Sequence, residues 1–308
     1  MTSSRREINK LMENGNMYEC ALERCKELMK HYEEKLMDYT KLSMLLSRMA
    51  VCYASITDPT KVRPEPEYFR VAYYGKGFPG FLQNKVFVYR GHSFERLTEF
   101  QSRLLDQFPD AELLTKLEEP EKEKKESAEQ YIQVNKVDCV VTENKFTSPG
   151  VSQHIRKFYL HNMVRKFMYS RPYHEGIRIK DNEFATLCVE RTTLTLTYDL
   201  PGILRCFPCV STKTVKLRPL EYAIDQMRAK NKALEDLVVS HELHPQQHAL
   251  DSLTRELNGI VDAAVMGGIA NYEKAFLQDA YLEAHPEDAE LLDQLKALIR
   301  DMVSCWTK

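Results

Sequence analysis

The sequence predicts an α+β chain: helices first, strands in the middle, helices again at the end. Three observations carry this reading. Apolar residues recur at helical spacing over residues ~4–57 and again after Pro219. Between these spans lie stretches rich in aromatic and β-branched residues, which read as strands. A stretch with three prolines, "TDPTKVRPEPEYF", breaks the first helical pattern, and Pro219 opens the second.

At 308 residues the chain is long enough for roughly two domains on the usual ~150-residue prior. Its apolar fraction of 43% is ordinary for a globular protein. A formal net charge of -2 gives no global pull toward nucleic acid or an acidic surface. No apolar run approaches the ~20 residues of a membrane span. The opening "MTSSRREINKLMENGN" is charged and helical, unlike a signal peptide. Eight scattered cysteines without a disulfide spacing point to a reducing, cytoplasmic location.

In the first helices, Met17, Ala21, Cys25, Leu28, Met29, Tyr32 and Leu36 share a face, and Leu42, Leu45, Leu46, Met49 and Tyr53 form a second stripe. Gly15 and Asp38 mark short connections, as in antiparallel helical hairpins. The strands are "YFRVAYYG", "KVFVYRG", "EQYIQVNKV", "RKFMYSR", "LCVERTTLTLTYDL" and "TVKLRP", interrupted by a helix from Ser93 to Phe108. The charge run "LEEPEKEKKESAEQ" reads as a solvated loop. Proline at the first helical turn followed by Glu221 signals the next helix. Leu220, Ala223, Ile224, Met227, Leu234, Leu237 and Val238 continue it until "HELHPQQH" breaks the pattern. The stretch "ELNGIVDAAVMGGIANYEKAFL" then reads as one amphipathic helix interrupted at Val265, Met266, Gly267 and Gly268, and a last helix covers Glu287 to Val303. The expected divisions are 1–60, 61–217 and 218–308.

Covalent chemistry finds little support. "CFPC" has a CxxC spacing at Cys206 and Cys209, but a zinc site needs a second pair or suitable histidines; ordinary thiols are the competing explanation. His244 and His248 would share a helix face were Pro245 not between them. The paired glycines lack the lysine of a phosphate loop and the GxGxxG pattern, and no GxSxG elbow exists. No metal or cofactor is expected, and a conventional enzyme is disfavoured.

Six ordered blocks carry a family likeness: "YFRVAYYGKGFPGFLQNKVFVYRGHSFERL", "FMYSRPYHEG", "DNEFATLCVERT", "LPGILRCF", "LRPLEYAI" and "LNGIVDAAVMGGIANYEKAF". From about Arg5 to about Ala297 the chain resembles the second Dock-homology region, the exchange domain of the Dock family of Rho-GTPase exchange factors. The "AVMGG" wording is closest to the Rac-directed branches. The resemblance implies a helical-repeat lobe, here only its last helices, a lobe of two antiparallel β-sheets, and a helical-bundle lobe. It also implies a piece of a longer protein whose last lobe stops early, at "RDMVSCWTK".

The implied function is exchange on a Rac-type GTPase, bound preferentially nucleotide-free, with no nucleic acid and no membrane span involved. A non-catalytic adaptor is the alternative. In the family a valine in a loop inserted in a bundle helix senses nucleotide by pointing into the magnesium site, and Val265 matches it. An apolar side chain offers that ion no oxygen and fills its space; Gly267 and Gly268 would let the backbone turn out of the helix. A plain helix–loop–helix connection with a glycine cap competes with this. Family contacts carried to "LRPLEYAI" fall on Leu217, Arg218, Pro219 and Glu221, with Arg218 standing where serine is usual. Asn258, Met266, Tyr272 and Phe276 are further candidates. Tyr272 and Phe276 lie at i and i+4, so a core stripe explains them equally well. The family also places a homodimer contact in the first lobe, here residues 4–57.

Overall fold

The computed structural model describes residues 2–58, 60–140, 151–176, 183–202, 204–243 and 269–306. It divides into two compact units. One comprises Met1–Met168 with Leu194–Ser211, the other Tyr169–Thr193 with Thr212–Lys308.

The first unit opens with α1 (Thr2–Asn14), α2 (Tyr18–Lys30) and α3 (Tyr39–Thr57), α2 running on into a π-helical turn over His31–Leu36. Asn16 and Met37 take left-handed conformations (φ 56 and 47) where the chain turns between helices. Asp38 then caps α3, its carboxylate accepting the Lys41 N–H at 3.0 Å. Tyr18, Leu22, Cys25, Leu28 and Tyr32 pack on Leu45, Met49, Cys52 and Ile56. Leu36, Leu46 and Tyr53, which the sequence places on the apolar stripes, are instead exposed. In α3 the face defined by Leu45, Met49, Cys52 and Ile56 points to the core, and Leu46 and Tyr53 lie about one residue's turn (~100°) away from it.

The proline-rich break after α3 is anchored. Arg63 is buried, ion-pairs with buried Glu19 of α2, and lies over the Phe158 ring at 4.1 Å and the Tyr18 ring at 5.5 Å. Phe158 belongs to α6 (Gln153–His161), a helix the sequence reading did not anticipate. Asn162, just beyond it, donates to the Pro64 carbonyl at 2.7 Å, and the Tyr68 hydroxyl donates to the His161 carbonyl at 2.7 Å.

The strands are β1 (Pro66–Tyr74), β2 (Lys85–Ser93), β3 (Ala111–Leu114), β4 (Gln130–Lys136), β5 (Asp138–Cys139), β6 (Val164–His174), β7 (Leu187–Leu200) and β8 (Cys206–Leu217). Among the described residues their order is β3-β4-β1-β2-β8-β7-β6-β5. In place of two separate antiparallel sheets, the strands form one mixed eight-stranded sheet in which β2 meets β8 through a short ladder, Phe87, Val88 and Tyr89 opposite Pro208, Phe207 and Cys206. One pair, β3 with β4, is parallel. β1 is antiparallel to β2 and β4 and covered on both faces, which is why "YFRVAYY" is nearly continuous apolar sequence. Phe69, Val71 and Tyr73 pack with Phe78, Phe87, Ile132 and Phe100 of α4 (Leu97–Leu105) on one face; Ala72 and Tyr74 meet Tyr131 on the other. Arg70, also buried, donates to Gln133 at 2.7 Å and Asn135 at 3.2 Å. The charge run contains a short exposed helix, α5 (Lys122–Glu126).

The second unit holds α7 (Pro219–Leu243), α8 (Ile269–Phe276), α9 (Asp279–Ala284), a 3-10 turn over Pro286–Asp288, and α10 (Ala289–Trp306). α7 continues through His241–Leu243, past the point where "HELHPQQH" was expected to end it. Its core joins Leu220, Ile224, Met227 and Leu234 of α7 to Tyr272 and Phe276 of α8 and to Leu292, Leu295 and Met302 of α10. Among the described residues, no helix is long and apolar enough to cross a membrane.

Candidate functional site

The site is built at the junction of β8 with α7. Pro219 opens the helix at a position where a missing N–H costs nothing. Glu221 reaches back to accept the Arg218 N–H at 2.8 Å, half of a capping box, and Tyr222 N–H donates to the Arg218 carbonyl at 2.9 Å to start the helical ladder. Leu220 is sunk in the core, whereas Leu217, Pro219 and Glu221 are half-buried and Arg218 is exposed.

Arg218 is nonetheless engaged. Its Nη1 lies 2.9 Å from Oδ1 of buried Asp288, and its Nε lies 3.5 Å from Glu221. The Tyr281 hydroxyl donates to the other Asp288 oxygen at 2.9 Å. Arg218 therefore ties the start of α7 to the turn before α10. Asp288 and Tyr281 complete this network, and no spacing in the sequence marked Asp288. Replacing Arg218 by serine leaves a buried carboxylate with only a hydroxyl partner. Because Arg218 is half exposed, the expected loss is modest, about 1–2 kcal/mol by urea unfolding. An unchanged midpoint would show that the clamp adds nothing.

Tyr272 and Phe276 are each 1% exposed and lie in the core of the second unit, with Phe184 edge-on to Tyr272 at 6.1 Å. Burial pushes the Tyr272 hydroxyl far above the usual phenol range. Their side chains hold the bundle together and do not form an open surface. Val265, Met266, Gly267, Gly268 and Asn258 lie outside the described residues, as do His244 and His248.

Cys206 and Cys209 lie in strand β8. Burial raises both thiols, Cys209 to about 11. Among the described residues, one group brings possible metal ligands together: His285, Glu287 and Asp288. Asp288 is already held by Arg218 and Tyr281, so this is an ion-pair network at a turn.

Residues 1–58, 118–199 and 239–308 match, in that order, the families described as DHR-2 Lobe A, Lobe B and Lobe C. The chain belongs to the Dock family. This DHR-2 chain is 41% identical over 300 residues to dedicator of cytokinesis protein 3 of Mus musculus, a match covering 97% of the chain and 15% of that protein. It is 38% identical over 288 residues to dedicator of cytokinesis protein 4 of Homo sapiens, covering 93% of the chain and 14% of the relative. DOCK-like protein 1 of Saccharomyces cerevisiae is more distant, 28% identical over 281 residues, covering 86% of the chain and 14% of that protein. The DHR-2 chain thus spans about a seventh of the length of these relatives. The Lobe C match includes the "AVMGG" residues, Val265 among them.

Proposed function

We propose that the chain is a guanine nucleotide exchange factor for a Rac-type Rho-family GTPase, acting without covalent chemistry or a cofactor. The observation that carries this is the ordered match to all three DHR-2 lobes, with "AVMGG" inside the Lobe C match. In this reading the divisions are 1–60, 61–217 and 218–308, and Val265 fills the cation space of the GTPase. Leu217, Pro219 and Glu221, half-buried at the head of α7, offer partly open contact area beside the bundle. Arg218 holds that helix end in place through Asp288. Release of fluorescent GDP from purified Rac tests the reading, and failure to accelerate release would leave the adaptor alternative. Val265→Ala should slow release by about tenfold or more, which corresponds to ~1.4 kcal/mol of barrier, with wild-type melting behaviour. A normal rate in that variant would remove Val265 from the sensor role.

The first lobe supports a homodimer. α3 exposes Met44 (71%) and Val51 on one side of its core-facing stripe and Tyr39, Leu46 and Tyr53 on the other. Exposed apolar runs of this kind mark surfaces that another protein surface covers. Met44→Glu combined with Val51→Glu should yield a monomer by light scattering with the fold intact. A dimer that survives both changes would move the contact elsewhere.

A further inference from the structure

Proposed exchange activity makes no use of a basic cavity at the end of β2. Pro66, Arg90, Gly91, His92, Ser93 and Arg205 line an open space of about 200 Å³. Two arginines and a histidine are among its lining residues, and no acidic residue is. The Arg90 N–H donates to the Arg205 carbonyl at 2.7 Å, which fixes the two arginines on neighbouring segments of backbone. Neither side chain forms an ion pair with a described residue.

The turn beside the cavity is built rigidly. Glu95 is buried and fully committed: Oε1 accepts Arg103 Nη2 at 2.9 Å and Nε at 3.1 Å, and Oε2 accepts the His92 N–H at 2.7 Å. Glu95 therefore does not cancel the positive charge of the cavity. Gly91 is required for this packing, since a Cβ there would lie 2.6 Å from the Phe69 ring and 2.7 Å from Glu95 Oε2. The turn holds Phe94 at φ 60 and leaves it 80% exposed. A bulky aromatic residue in the left-handed region is conformationally costly, and here the side chain gains no packing in return. Such uncompensated strain marks functional sites.

Two arginines on paired backbone lining one polar cavity suit a phosphate, whose oxygens accept paired N–H donors. An aromatic side chain held out beside it suits the interfacial layer of a membrane. We infer that this turn is a membrane-docking site, in which the cavity takes the phosphate monoester of a lipid headgroup and Phe94 enters the layer around it. A phosphopeptide fits less well, because peptide recognition needs a recessed apolar pocket for a flanking side chain, and here the apolar group protrudes.

The test is co-sedimentation of the whole chain with phosphatidylcholine vesicles, with and without a phosphoinositide bisphosphate. Binding should need the phosphoinositide. Arg90→Gln with Arg205→Gln should lower partition roughly thirty-fold, as expected for two basic residues at a charged surface. Phe94→Asn should lower partition several-fold while melting at the same or a higher temperature, because asparagine tolerates the left-handed backbone. That variant separates lost docking from lost folding. Equal binding to vesicles matched in charge with phosphatidylserine would overturn the phosphate assignment. Binding of soluble inositol trisphosphate without vesicle binding, preference for a phosphopeptide, or no binding by the wild-type chain would each overturn the membrane assignment.

Discussion

Replacing Arg63 by methionine is expected to destabilise the first unit by about 3–5 kcal/mol, the usual consequence of removing one partner from a buried ion pair. Glu19 would keep its carboxylate in a buried site after losing its counter-charge. The native pair is already imperfectly satisfied: Glu19 Oε1 and Arg63 Nε and Nη1 have no hydrogen-bond partner among the described residues. Burial accordingly raises the Glu19 carboxyl above its ordinary value, against the lowering effect of Arg63. Without Arg63 only the raising influence dominates. A carboxyl with a folded pKa above its unfolded value of about 4.3 binds its proton more tightly in the folded state. Stability is then highest below the unfolded pKa, falls as pH rises to the folded pKa, and is flat beyond it. The melting deficit of Arg63→Met should therefore be large near pH ~7 and shrink toward pH ~4. The double variant Arg63→Met, Glu19→Leu should recover most of the loss at neutral pH. A deficit that does not vary with pH, or is not recovered by the second change, would mean that the cost is lost packing of the guanidinium on Phe158 and not the stranded charge.

Gly75→Ala should cost about 4 kcal/mol or more, in the range reached by backbone conflicts and stranded charges. Gly75 follows β1 at φ +98, and a Cβ there would lie 2.1 Å from the Glu129 carbonyl oxygen. The neighbouring backbone cannot withdraw easily: Lys76 N–H donates to the Ser127 carbonyl at 2.7 Å, and Gln130 Nε2 donates to the Gly77 carbonyl at 2.7 Å. Gly80 is the control. It has open space around its missing Cβ and no left-handed φ. Gly80→Ala should be neutral or stabilise by up to about 1 kcal/mol through the unfolded state. Equal urea midpoints for the two variants would refute the clash.

The strands were legible in two ways: β1, buried on both faces, reads as a nearly continuous apolar run, whereas β7 alternates buried and half-buried residues and reads by its β-branched, period-2 pattern. "LCVERTTLTLTYDL" coincides with β7 from end to end, and "YFRVAYYG" and "KVFVYRG" agree to within two residues. β3 was not legible, because "AELL" has helical propensity and becomes a strand only by pairing with β4. "CFPC" was weighed only for its CxxC spacing, yet Phe207 is buried there and β8 begins at Cys206. Arg63 was invisible for a different reason. Nothing in a proline-rich break signals that a charge inside it will be covered by a distant ring. At the junction of β8 and α7, Pro219 and Glu221 spelled out the helix start, but the bond from Arg218 to Asp288 spans seventy residues and leaves no local pattern. Tyr272 and Phe276 show the limit of periodicity, since one i,i+4 stripe serves equally for core and for surface until the neighbours are known.

The unit boundary is crossed three times, after Met168, Thr193 and Ser211. Each crossing falls within a strand, β6, β7 or β8. During synthesis the first unit therefore cannot finish until residues 194–211 have emerged, by which time part of the second is already made. The second then waits for the chain's last helices. The two units cannot mature strictly one after the other, as successive domains ordinarily do. For the same reason no single junction separates the units cleanly: one after Met168 divides the first, one after Ser211 divides the second, and one after Thr193 divides both. Any exchange at one junction therefore mixes parental sequence inside at least one unit.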